Sequence, residues 1–283
     1  MTYLTEFTFP DKDAEHSFFM AEQRTCYDTF YPFQVLSGRS LRTVAFEAIT
    51  IFYGGNGSGK STALNVIAEK CRAERDSLYN RSSFYEDYLT LCDMSLQENT
   101  KSRIITSDDV FDYMLHLRSL NEGIDRRRDE LFQEYLDAKY SDFKFRTMED
   151  YSRLKQVNKS RSKTQSRFVR SELMDNVREQ SNGETAFRYF TDIISEDGLF
   201  ILDEPENSLS PARQLELARH LEDSARFFGC QLVLSTHSPF LLAMRGAKII
   251  DLDETPAREK RWTELGNVRV YYDFFKRNER DFS

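Results

Sequence analysis

The chain has 283 residues, 40% of them hydrophobic and 30% charged, and a formal net charge of −8, which suits one large or two small folded domains and excludes disorder throughout. The acidic balance argues against indiscriminate nucleic-acid binding by the whole surface. No run approaches the ~18 consecutive apolar residues of a bilayer-spanning helix, and the start, with Glu6 and Asp11, has no basic region followed by an apolar one. The expectation is therefore a cytoplasmic protein with no direct membrane insertion.

In chain order, the first expected strand is Leu41–Phe52, rich in Val, Ile, Thr and Phe; it leads into a Gly-rich stretch and then a helix. That helix carries Leu64, Ile67, Ala68 and Cys71 at i, i+3, i+4 and i+7, one apolar face. Residues 76–180 are polar and read as a mainly helical insertion, with helical stretches at Val110–Leu120 and Asp129–Ala138. An apolar strand Leu199–Leu202 follows, then a helix from Pro211 with Ser210 as its N-cap and Gly229 as its stop. Further strands are expected at Gln231–Leu234 and Ala247–Leu252. Alternating strand and helix predict an α/β fold with a mostly parallel sheet flanked by helices. Cys26, Cys71, Cys92 and Cys230 are too dispersed for a zinc site or a disulfide framework and read as reduced packing residues.

The segment Gly54-Gly55-Asn56-Gly57-Ser58-Gly59-Lys60-Ser61 satisfies G-x-x-x-x-G-K-[ST] between a strand and a helix, where a phosphate-binding loop requires it. Its glycines let successive N–H groups point at phosphate oxygens, and Thr62 extends the donors into the helix N-terminus. Lys60 would reach the β- and γ-phosphates of ATP, and the Ser61 hydroxyl would ligate Mg²⁺. The strand Leu199–Leu202 delivers Asp203 and Glu204 to the edge where such sheets bind ligands. Asp203 would hold the metal and Glu204 would orient and deprotonate the attacking water. A second strand ends at Ser235-Thr-His237-Ser-Pro239, placing His237 to donate to the γ-phosphate or the water. For each segment the plain alternative is a glycine turn, a solvated strand end or a structural histidine; their combination favours chemistry.

Together, GGNGSGKS at 54–61, SNGE at 181–184, FILDEP at 200–205, ENSLS at 206–210 and STHSP at 235–239 resemble, in order, the Walker A, signature, Walker B, D-loop and His-switch motifs of the ATP-binding-cassette ATPases. More narrowly, LDEPENSLSP and STHSPFLL are similar to stand-alone bacterial ATPases of the DNA-repair and chromosome-maintenance branch. The resemblance spans roughly residues 30–255 and implies a P-loop fold carrying a helical insertion that ends at the signature motif. It also implies a homodimer in which Ser181, Asn182, Gly183 and Glu184 complete the partner's site while Asn207 and Ser208 communicate across the interface. The metal-binding Gln of that family has no clear counterpart: Asp108, at the end of Ile104-Ile-Thr-Ser-Asp108, stands in its expected place, with Gln97 as a second candidate. Tyr31 and Phe33 are the candidates, by position, for stacking on adenine.

The insertion is too short for a chromosome-spanning coiled coil. It carries a basic run, Arg153, Lys155, Lys159, Arg161, Lys163, Arg167, Arg170 and Arg178, against Glu172 and Asp175. That run suits either a phosphate backbone or a solvated, partner-facing helix. The leading functional reading is an ATP-gated switch controlling a protein effector or nucleic acid in repair or phage defence; a membrane-transporter motor is the alternative.

Overall fold

The computed structural model describes residues 2–24, 27, 29–141, 150–173 and 181–282, which form two compact units: 1–111 with 182–283, and 112–181. In chain order the elements are β1 (Leu4–Thr8), α1 (Lys12–Ala21), β2 (Thr43–Ala45), β3 (Ile49–Tyr53), α2 (Lys60–Lys70), α3 (Tyr85–Leu91), β4 (Asp93–Leu96), β5 (Ser102–Thr106) and α4 (Ser107–Lys139). They continue with α5 (Tyr151–Ser162), α6 (Gln165–Arg170), α7 (Asn182–Ile193), β6 (Gly198–Asp203), α8 (Pro211–Phe227), β7 (Cys230–Ser235), α9 (Pro239–Leu242), β8 (Lys248–Asp251), β9 (Arg258–Glu259) and α10 (Gly266–Arg277).

In the larger unit the main sheet runs β5-β6-β7-β3-β8-β9, parallel except for the short terminal β9. The fully buried runs of β3 and β7 are the continuous apolar strands that a sheet covered on both faces demands. A second, antiparallel sheet, β2-β1-β4, shares its core: Leu4 and Phe7 of β1 cluster with Phe52, Leu64, Ile67, Ile201 and Val233. Gln231 ties the two sheets together. Its buried amide accepts from the backbone of Tyr3 and Leu4, each at 2.8 Å, and donates to the carbonyls of Leu4 and Glu47 at 2.7 and 3.2 Å. A buried amide with all its bonds made fixes register without the penalty of an orphaned group.

The expected strand Leu41–Phe52 is two strands in two sheets. Between them the Glu47 N–H bonds the buried Thr50 hydroxyl at 3.0 Å, and that local bond turns the chain from one sheet to the other. Similarly, the stretches expected at Val110–Leu120 and Asp129–Ala138 belong to one helix, α4, of 33 residues. Gly123 costs such a helix only about 1 kcal/mol, and Arg127–Glu130 and Arg128–Asp125 pairs bridge successive turns. The insertion expected from residue 76 also starts later as a compact unit, because residues 76–111 contribute α3, β4 and β5 to the larger unit.

The smaller unit packs Leu131 and Tyr135 of α4 against Phe168 and Val169 of α6. Of the basic run, Lys159 is paired with Glu172, Lys163 donates to the Ser171 hydroxyl at 3.1 Å, and Arg167 and Arg170 are exposed. Asp175 and Arg178 lie outside the described residues, as does Cys26, and the side chain of Arg161 is not described. The other three cysteines are free and buried, and burial pushes the thiols of Cys71 and Cys92 up to about 12 and that of Cys230 to about 11. Among the described residues no helix is long and apolar enough to cross a membrane.

Candidate functional site

The site lies at the C-terminal edge of the parallel strands. After β3 the chain turns through Gly54–Gly59 into α2, whose first amides have no carbonyl one turn earlier to bond, so they converge as anion donors at the positive end of the helix. Two glycines are required here. A Cβ on Gly54 would stand 2.5 Å from Ser58 Oγ, and Gly59 has φ +100° with space for a Cβ only 3.0 Å from Leu36 Cδ2 and 3.1 Å from Val35 Cγ1. From the β8 side, the Asp253 carboxylate accepts from the Gly55 N–H at 2.7 Å and anchors the loop.

Lys60 is 5% exposed, and its ammonium donates to the carbonyls of Gly54 and Gly55 at 2.9 and 3.2 Å. It also lies 3.9 Å from Glu204 Oε1. Glu204 adopts φ +49°, a left-handed conformation that costs a residue with a Cβ on the order of 1 kcal/mol or more. Ser235 of β7 holds it there. The Glu204 N–H bonds the Ser235 carbonyl at 3.2 Å and its hydroxyl at 3.1 Å, while the same hydroxyl donates to Asp203 Oδ1 at 2.5 Å. The turn thus points the two adjacent carboxylates apart. Asp203 faces Ser61 and shares a hydrogen bond with it, whereas Glu204 faces Lys60 and His237. Burial pushes the Asp203 carboxyl above its ordinary value, against the lowering effect of its bonds to Ser235 and Ser61.

His237 Nε2 is shielded from solvent, makes no hydrogen bond, and stands 3.5 Å from Glu204 Oε1. The Ser58 hydroxyl, inside the loop, is likewise buried and unpaired. Orphaned buried polar atoms cost about 1–3 kcal/mol each, and two of them around one glycine cradle fit a ligand that carries oxygen atoms. The donor set also fits Mg²⁺: a serine hydroxyl and a carboxylate in contact supply hard oxygens, and phosphates and water complete such sites. Among the described residues no cluster of three or more His, Cys, Asp or Glu side chains forms a metal cage of its own.

Asp108 is exposed on the first turn of α4, two residues beyond Thr106, which stands beside Asp203 in register and whose hydroxyl and N–H both bond Asp109. Gln97 follows β4 near Lys101 and Ser102, at the opposite end of β5, because Ser102 pairs with Leu199 and Thr106 with Asp203. Four strand residues separate those ends by roughly 13 Å. Phe33 is 4% exposed, its ring stacked 4.7 Å from that of Phe18, so it is not available to adenine. Tyr31 does reach the loop helix, through its hydroxyl on Thr62 Oγ1 at 3.2 Å.

Asn182 and Gly183 open α7, and exposed Ser181 precedes them. A Cβ on Gly183 would lie 3.4 Å from the Ser208 carbonyl, so the α7 N-terminus and the segment carrying Asn207 share one surface. Asn207 donates to Glu204 Oε2 at 3.3 Å, and Glu184 pairs with Arg213 at 3.1 Å. Ser235, Asp253 and Glu206 are contributors to which sequence reasoning gave no separate role. The run of acids at strand ends was a signal for Glu206 and Asp253; nothing in the local pattern marks Ser235 as a holder of both acids.

A family model described as "AAA domain, putative AbiEii toxin, Type IV TA system" matches residues 72–243, more than half of the chain, beginning after the glycine loop. No protein of curated function matches the sequence. Solved structures similar to the chain include a nucleotide-free ATP-binding cassette from an ABC transporter, at 14% identity and TM-score 0.41, covering 95% of each chain. The dimeric cassette of a bacterial ABC transporter is similar at 16% identity and TM-score 0.39, over 79% of this chain and 90% of that one. The Smc head domain with an extended coiled coil bound to the C-terminal domain of ScpA, from Pyrococcus furiosus, is similar at 12% identity and TM-score 0.37, over 82% and 94%. With a P-loop on a mainly parallel sheet and a match over most of its length, the chain belongs to the family of AAA domains so described.

Proposed function

We propose that the chain is a Mg²⁺-dependent ATPase of the ATP-binding-cassette type, that two copies close head to tail around ATP, and that this closure controls a partner protein. The observation that carries this reading is the convergence of Lys60, Ser61, Asp203, Glu204 and His237 at one edge of the sheet. The loop amides and Lys60 would bind the triphosphate, exchanging the carbonyl bonds of the ammonium for phosphate oxygens. Ser61 and Asp203 would hold Mg²⁺, which when bound neutralises charge developing on the phosphates. Glu204, 3.5 Å from His237 and 3.9 Å from Lys60, would take the proton of the attacking water, and the shielded Nε2 of His237 would donate to the transferring phosphoryl group.

Dimerisation is supported by the close approach of Gly183 to the Ser208 carbonyl, which puts the start of α7 and the segment carrying Asn207 on one surface. Control of a partner in a toxin–antitoxin setting is supported by the description of the family as a putative AbiEii toxin of a Type IV TA system. The test is Glu204→Gln with Mg-ATP. The reading expects ATP bound, turnover lowered by about 100-fold or more, and a doubled mass by light scattering. Wild-type turnover in that variant would refute Glu204 as the base, and an unchanged monomer mass in a variant that holds ATP would refute closure.

A further inference from the structure

The main chain of His237 is gripped from both sides by residues that the site chemistry does not otherwise use. Its N–H donates to Glu206 Oε1 at 2.6 Å, and the N–H of Ser238 donates to the same oxygen at 3.1 Å. Its carbonyl accepts from Asn267 Nδ2 at 3.2 Å. Asn267 stands at the start of α10, and its own N–H donates at 3.0 Å to the hydroxyl of Tyr53, the last residue of the strand that enters the glycine loop. One residue thus touches both the histidine loop and the phosphate-loop strand. On the opposite side, Ser238 Oγ donates to Gln214 at 2.7 Å and caps α9, fixing the chain just beyond the histidine.

This arrangement is costly to build. The Glu206 carboxyl is buried, and burial raises it above its ordinary value even against the lowering effect of the His237 N–H and the Thr236 side chain. Nε2 of His237, unpaired and 3.5 Å from Glu204, gains most from such fixing, since a shift of about 1 Å can cost about 100-fold in rate.

We propose that Glu206 and Asn267 are positioning residues: they clamp the N–H and C=O of His237 and so hold its Nε2 at the reacting phosphate. The assignment rests on the ATPase reading above. It makes α10 part of the site: its first turn supplies the Asn267 amide, while Tyr272, Phe274 and Phe275 farther along the same helix are about half exposed. Displacement of α10 would release the carbonyl side of the clamp.

The experiment pairs amide hydrogen exchange across 235–241 with ATP turnover in the full chain, using Glu206→Ala, Glu206→Gln, Asn267→Ala and His237→Ala. Glu206→Ala should speed exchange of the His237 and Ser238 amides by about tenfold or more. Glu206→Gln, which keeps an acceptor oxygen, should restore protection and turnover, and so guards against a variant that merely fails to fold. Asn267→Ala should lower kcat by about 10–100-fold with nucleotide affinity retained, and should lower it no further in the His237→Ala background. Unchanged exchange in Glu206→Ala, or a full additional loss from Asn267→Ala when His237 is absent, would overturn the clamp. Faster exchange with no ATP turnover in the wild-type chain would instead sink the ATPase reading and leave the clamp without a reaction to serve.

Discussion

Lys60 Nζ lies 3.9 Å from Glu204 Oε1 while it bonds the carbonyls of Gly54 and Gly55 at 2.9 and 3.2 Å. Two motifs separated by some 140 residues of sequence therefore meet as one opposite-charge pair at the mouth of the glycine loop. The parallel pairing of β6 to β7 and of β7 to β3 makes the meeting possible, because it brings the C-terminal ends of these strands to one edge.

The loop depends on Gly59 for both conformation and space. Gly59→Ala adds a Cβ against Leu36 and Val35 at φ +100°, and should destabilise the fold by about 1–3 kcal/mol while weakening nucleotide binding. Gly38→Ala, whose Cβ would meet no atom within 4 Å, is the control and should melt as the wild type does. Equal melting temperatures for the two variants would contradict the packing argument.

Glu15 gives the stability a pH dependence of known sign. Its carboxylate is 3% exposed and accepts from Ser37 Oγ at 2.6 Å and from the Gln34 N–H at 3.0 Å; burial nevertheless raises it above its ordinary value. A raised folded value means that the fold binds the proton more tightly, so this contribution is present below the ordinary carboxylate range and is lost as pH rises through the raised value. Glu15→Gln keeps an acceptor oxygen and does not titrate. Thermal melts should therefore show the variant gaining on the wild type as pH rises from 4 to 7, and a variant that instead loses ground to the wild type as pH rises would reverse the sign.

Gln97 sits at the wrong end of β5 to reach the metal pair, roughly 13 Å away by strand rise. Gln97→Ala should leave both ATP turnover and its Mg²⁺ dependence unchanged. A shifted Mg²⁺ dependence in that variant would mean that the strand ends are assigned the wrong way round.

Much of this was legible in the sequence. The buried strands at 198–203 and 230–235, the Ser210 cap on α8 and the glycine loop announced themselves because each rests on local pattern: continuous apolar runs, a side-chain cap whose Oγ accepts from Arg213, and glycines before a helix. What was not legible is tertiary. The split of residues 41–52 between two sheets depends on the Thr50 hydroxyl and on pairing with β1. The joining of two helical stretches into α4 depends on tolerance of Gly123. Phe33 looked available by position, yet its partner Phe18 lies on a helix fifteen residues earlier. Asn267 has no sequence signature at all, since its role exists only where α10 meets Tyr53 and His237.

The central claim is that the glycine loop and Lys60 bind a triphosphate, and equilibrium titration of the wild type and Lys60→Ala with a fluorescent ATP analogue in the presence of Mg²⁺ tests it most directly. Loss of a charge-assisted contact worth about 1.5–3 kcal/mol should weaken binding by about 10–100-fold. Identical saturation curves for the two proteins, or no saturation in the wild type, would contradict it.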